Sequence, residues 1–157
     1  VLMVHNTKKC GAIKRATKYG IPHVRVPHKN ENEMIKLFEV YNVNLIILAG
    51  YMRVLKNPSA FPCPIINVHP SLLPKYKGLH AVEQAMESED KITGCTVHYV
   101  NEELDSGEII KQAEVPIFEN DTVEELTKRI QREEYRILPE VINTLSWKDT
   151  KQEFLSD

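Results

Sequence analysis

The run Asn44-Leu45-Ile46-Ile47-Leu48-Ala49, closed by Gly50, constrains the fold more than any other stretch. It is short, apolar and does not alternate. A strand of that kind needs cover on both faces, which suits the centre of a parallel sheet. Its surroundings agree. Leu2-Met3-Val4-His5 and His23-Val24-Arg25-Val26 read as short strands. Between them, residues 8–19 carry Cys10, Ile13 and Ala16-Thr17 at roughly helical spacing, and Gly20 is a good stop. Residues 31–41 place Met34, Ile35, Leu37, Phe38 and Tyr41 on one helical face, with Asn30 as the cap. Strands alternating with helices argue for an open α/β sheet with right-handed crossovers.

The pattern then changes. Residues 65–68 read as another strand and residues 80–86 as a helix. GCTVHYV (94–100) and EIIKQAEV (108–115) read as an antiparallel pair at one end of a mixed sheet. Asp121 or Thr122, with Glu124 and Glu125 behind it, signals a long helix running to about Leu145. The expectation is one domain over residues 1–157: α/β, with an open, mostly parallel Rossmann-like sheet, helices on both faces and an antiparallel C-terminal strand pair. Residues 146–157 read as a polar tail. A chain of 157 residues is long enough to bury most of its apolar surface.

Charge and cysteine content exclude several classes. Twenty basic and 22 acidic residues leave a net charge of −2, so no nucleic-acid or anionic-membrane partner is expected. The run 45–49 is too short to span a bilayer, and no signal peptide is visible. Cys10, Cys63 and Cys95 are odd in number and widely spaced, which argues for a reducing, cytoplasmic compartment and against a disulfide framework. His5, His23, His28 and His80 show no ligand spacing, so no metal is expected. The chain starts at Val1 rather than Met, which points to a processed or truncated end.

Chemistry concentrates in IINVHPSLLPKYKG (65–78). On a strand, Asn67 and His69 share one face. Pro70 and Pro74 stiffen the following loop, and Gly78 permits a sharp exit. An amide donor beside an imidazole suits a reaction that builds charge on a carbonyl oxygen. The plainer reading is a pair of strand-end side chains serving nearby backbone, because a bare Asn-x-His occurs often by chance. A second segment, LDSGEII (104–110), holds Asp105 between two strands; alone it reads as a hairpin turn. Placed beside His69, its carboxylate would favour the imidazolium. No spacing rule joins the two segments. His98 alternates with Val97 and Tyr99; a place near the site is one reading of it, and a structural strand histidine is the plainer one.

Taken together and in order, Asn67-x-His69, SLLPKYKG and LDSGEII resemble the folate-dependent formyltransferase family. The likeness includes LAGYMRVL (48–55), TGCTVHYV (93–100) and EEYRILPEVI (133–142), and runs over residues 1–142. The resemblance implies the formyltransferase fold and a catalytic trio of Asn67, His69 and Asp105. It implies a 10-formyltetrahydrofolate pocket lined by Met52, Arg53, Val54, Leu55, Asn67, Asn101, Glu102, Glu103, Leu104 and Asp105, partly through backbone groups. It implies that Gln131, Arg132, Glu133 and Glu134 face a ribonucleotide substrate. The Pro in HPSLLP favours the branch that formylates glycinamide ribonucleotide in purine synthesis. From the residues alone, Met52, Val54 and Leu55 read equally as core, and Glu133-Glu134 as a solvated helix face.

The likeness has gaps. The family's opening strand and Gly-rich phosphate loop have no counterpart, so the chain is expected to begin at the family's second strand and its sheet to lack a central strand. Tyr135 stands where the family carries His, and Lys29 is the one candidate for a basic folate contact near residues 31–41. The rival readings are a formyltetrahydrofolate hydrolase, another folate-dependent formyltransferase, and a truncated folate-binding relative without catalysis. A monomer or homodimer acting on small molecules is expected.

Overall fold

The computed structural model describes residues 1–145. Six strands and four helices follow one another as β1 (Met3–His5), α1 (Gly11–Lys18), β2 (His23–Arg25), α2 (Glu31–Val40), β3 (Ile46–Leu48), β4 (Ile65–His69), α3 (Ala81–Glu87), β5 (Ile92–Tyr99), β6 (Ile109–Pro116) and α4 (Val123–Thr144). The α/β class and the antiparallel C-terminal pair follow the expectation. The strands form two sheets. β1 and β2 pair in parallel, and a separate sheet runs β3-β4-β5-β6. β3 and β4 are parallel, whereas β4–β5 and β5–β6 are antiparallel.

One expectation needs correcting. The apolar run 44–49 does not form a central strand. β3 lies at the edge of its sheet, with Ile46 buried and Ile47 38% exposed. Cover on two faces is met at the start of the run, where Leu45 joins one buried cluster and Ile46 the other, but β3 has a hydrogen-bonded neighbour on one side only. The two sheets are joined by side chains rather than by a ladder. Val26, Met34, Phe38, Ile46, Leu55, Phe61 and Ile65 form one buried cluster, with Val4 and Val24 packed against it.

The second cluster holds the antiparallel end together. Ile66, Cys95, Val97, Ala113 and Val115 meet Leu126, Ile130, Ile137 and Val141 of α4. Strand alternation explains the division of labour. Ile66 and Val68, with Cys95 and Val97, turn towards α4. Asn67 and His69, with their register partners His98 and Thr96, turn to the other face. Burial on one face therefore leaves four polar side chains together on the opposite one, with loops rather than a helix above them. Among the described residues, no helix is long and apolar enough to cross a membrane.

Candidate active site

β4 delivers Asn67 and His69 to this polar face, and the loop after it folds back over them. Thr96, wholly buried on β5, pins that loop. Its hydroxyl donates to the Ser71 carbonyl at 2.7 Å and accepts from the Leu73 N–H at 3.1 Å. Gln112 of β6 donates to the Leu73 carbonyl and to the Thr96 hydroxyl, each at 2.9 Å. The chain then passes Tyr76 and Gly78 in left-handed conformations, at φ of 55° and 79°. Those turns bring the Tyr76 carbonyl to the His69 ring, whose Nε2 donates to it at 2.8 Å.

The segment between β5 and β6 closes the site. It is no tight hairpin: residues 100–108 fold across the polar face. Asp105, at φ 49°, receives the Gly78 N–H on Oδ2 at 2.8 Å. The same oxygen stands 3.5 Å from His69 Nδ1, with both side chains more than nine-tenths buried. His69 thus offers one nitrogen to a carbonyl and the other to a carboxylate. Both partners are hydrogen-bond acceptors.

Three loops meet around this pair. Lys77 of the first donates to the Ser106 hydroxyl and lies 3.9 Å from the Glu103 carboxylate. Glu102 of the second is tied to Ser59 of the third, and that hydroxyl draws the Glu102 carboxyl below its ordinary range. The third loop, residues 49–64, is also held by Glu31, whose carboxylate accepts the Lys56 N–H at 2.8 Å and the Asn57 N–H at 3.4 Å. A cleft lined by Asn44, Ser59, Phe61, Cys63, Asn101 and Glu102, of about 640 Å³, opens between the last two loops.

The formyl transferase family pattern matches residues 1–142. The chain belongs to the formyl transferase family. It is 40% identical to the phosphoribosylglycinamide formyltransferase of Haemophilus influenzae over 149 residues, covering 89% of this chain and 70% of that protein. It is 41% identical to the trifunctional purine biosynthetic protein adenosine-3 of Drosophila melanogaster, covering 92% of this chain and 11% of that protein. The chain therefore spans only about a tenth of the length of such trifunctional relatives. Among solved structures, glycinamide ribonucleotide transformylase 1 from Symbiobacterium toebii superposes with a TM-score of 0.86 at 40% identity, over 90% of this chain and 71% of that one.

On this formyl transferase the sites suggested by sequence fall into three groups. Asn67, His69 and Asp105 come together. Met52 and Val54 are 72% and 64% exposed on their loop, with Arg53 between them also exposed, so none of the three is core. Leu55 turns inward to the buried cluster. Asn101, Glu102, Glu103 and Leu104 are exposed on the loop that carries Asp105. Gln131 and Arg132 are exposed on α4, and Glu133 pairs with Arg136 at 2.5 Å. Glu134 differs from its neighbours: burial pushes its carboxyl up, and it has no hydrogen-bond or ion-pair partner among the described residues.

His98 also belongs to this cluster. Its Nε2 lies 3.3 Å from Asn67 Nδ2 and 3.7 Å from Asp105 Oδ1. Alternation along β5 was the available signal. What it lacked was the register Asn67↔His98 across the β4–β5 ladder.

Proposed function

We propose that the chain transfers the formyl group of 10-formyltetrahydrofolate to the amine of glycinamide ribonucleotide. The observation that carries this reading is the buried His69–Asp105 pair beside Asn67, at the meeting point of three loops. In the proposed reaction the substrate amine attacks the formyl carbon, and its carbonyl oxygen becomes an oxyanion. A side-chain N–H of Asn67 and the protonated ring of His69 stabilise that charge. Asp105 accepts the proton shed by the amine. The intermediate then collapses, the bond from carbon to N10 breaks, and N10 of the departing tetrahydrofolate takes a proton. The products are the formamide and tetrahydrofolate.

Binding follows from the same surfaces. Met52, Arg53, Val54 and the backbone of Leu55, with residues 101–105, hold the folate. Gln131, Arg132, Glu133 and Glu134 face the ribonucleotide. An unpaired, desolvated carboxyl such as Glu134 gains most when a cationic or N–H-bearing group reaches it. Alignment of two bound substrates is the protein's largest contribution.

A formyl-transfer assay with both substrates tests the reading. Formylated glycinamide ribonucleotide and tetrahydrofolate are expected in equal amounts. Asn67→Ala should lower kcat by roughly 10²–10³, about 3–4 kcal/mol of transition-state stabilisation. Formate release that ignores the acceptor would instead indicate a hydrolase, and folate binding without turnover a non-catalytic relative; either result sinks the proposal.

A further inference from the structure

We infer that His98 is a positioning residue, held in its neutral Nδ1–H form so that Nε2 accepts from Asn67 and sets which end of the Asn67 amide faces the reacting carbonyl. The inference rests on the formyl-transfer reading above and concerns a residue to which that mechanism gives no role.

His98 Nδ1 lies 2.8 Å from the carbonyl oxygen of Tyr99. A carbonyl can only accept, so Nδ1 carries a proton. The ring is 2% exposed, and burial pushes its pKa down, against the raising effects of the Tyr99 carbonyl and Asp105. A neutral ring protonated at Nδ1 has a lone pair at Nε2. That lone pair points at Asn67. Only the nitrogen end of the amide can satisfy it. The opposite rotamer would set the amide oxygen against the lone pair and leave no donor for an oxyanion. With one N–H bound to His98, the other N–H of Asn67 remains for the substrate.

Asp105 and His69 are the charged or titratable groups near Asn67 and His98 at the site. A neutral His98 places its lone pair 3.7 Å from Asp105 Oδ1, too far and of the wrong polarity to hold it, which leaves the carboxylate to His69. A charged His98 would compete with His69 for Asp105 and withdraw the acceptor from Asn67. The backbone supports this placement. The β5–β6 ladder shifts register between Val97 and His98, the kind of irregularity that re-aims a side chain beside a site.

Two substitutions separate positioning from packing. In His98→Gln the amide oxygen replaces Nε2 as acceptor for Asn67. In His98→Asn the amide nitrogen replaces Nδ1 as donor to the Tyr99 carbonyl, and the acceptor is lost. We expect His98→Asn to lose roughly 100-fold in kcat, the cost of a misplaced group, with KM for both substrates little changed. His98→Gln should recover most of that loss. A purely structural role predicts the reverse order, and equal losses or no loss in both variants would also overturn the inference. NMR on the unliganded wild-type protein gives a readout free of catalysis. The His98 ring nitrogens should show the Nδ1–H pattern at neutral pH, and the Asn67 side-chain N–H signals should move in His98→Asn but not in His98→Gln. An Nε2–H or doubly protonated His98, or Asn67 signals indifferent to His98→Asn, would refute it. A wild-type protein that transfers no formyl group would defeat the functional reading while leaving this structural test intact.

Discussion

Gly107 shows how little freedom the site leaves at a single position. A Cβ there would overlap the Tyr99 carbonyl, the same carbonyl that accepts from His98 Nδ1. The neighbouring ladder is tight, with the Tyr99 N–H donating to the Glu108 carbonyl at 2.9 Å. Backbone cannot yield as a flexible side chain can, so Gly107→Ala must move the loop, the carbonyl or both. Either movement disturbs His98 and displaces Asp105 from His69. The expected result is a loss of roughly 100-fold in kcat together with a lower urea midpoint; a variant with wild-type rate and stability would show that the loop relaxes freely. In sequence, Asp105-Ser106-Gly107 looks like the tip of a simple hairpin. Its true requirement, a close approach of the loop to β5, depends on a partner strand that no local spacing specifies.

α4 illustrates what a helix can declare in its own sequence. Two caps were open, Asp121 and Thr122, and the structure assigns them different tasks. The Thr122 hydroxyl accepts from the Glu125 N–H while the Glu125 side chain reaches back, completing a capping box. Asp121 instead accepts the Phe118 N–H at 2.7 Å and both arms of the Arg129 guanidinium. Those partners draw its carboxyl down to about 2, the Arg129 hydrogen bond contributing most. The carboxyl therefore binds a proton more readily in the unfolded chain than in the folded one. Its stabilising effect is complete above the ordinary aspartate range, near about 4, and is lost as pH falls towards about 2. Asp121→Asn should lower the urea midpoint at neutral pH and flatten the fall in stability across that acid window; an unchanged pH profile would remove Asp121 from the account. Capping boxes, amphipathic faces and Gly stops are local, which is why α1, α2 and α4 were legible in sequence. The edge position of β3 and the pairing of Asn67 with His98 were not, because strand order and register arise between segments.

At the scale of the whole molecule, charge and packing divide unevenly along the chain. Residues 1–30 contain Lys8, Lys9, Lys14, Arg15, Lys18, Arg25 and Lys29, and no Asp or Glu. All seven are exposed, and among the described residues none is in an ion pair. Further along, Lys75, Lys77, Lys111, Lys128, Arg129 and Arg136 all have carboxylate partners. The net charge of −2 concealed this asymmetry, since a balanced total says nothing about distribution. The basic segment is also the one whose two strands form a sheet of their own, attached through the Val26, Met34 and Phe38 cluster rather than by a ladder. A two-stranded unit is marginal without such packing, and unopposed like charges weaken it further. Residues 3–25 should therefore open first. Amide hydrogen exchange should be faster in β1, α1 and β2 than in β4, β5 and β6. Raising ionic strength from about 0.01 M to about 0.1 M shortens the Debye length from about 30 Å to about 10 Å, screening the repulsion. Exchange in residues 3–25 should slow accordingly, while the buried strands change much less. Equal protection across both sheets, or faster exchange of the basic segment with added salt, would mean that packing alone sets its stability and that the seven cations impose no measurable cost.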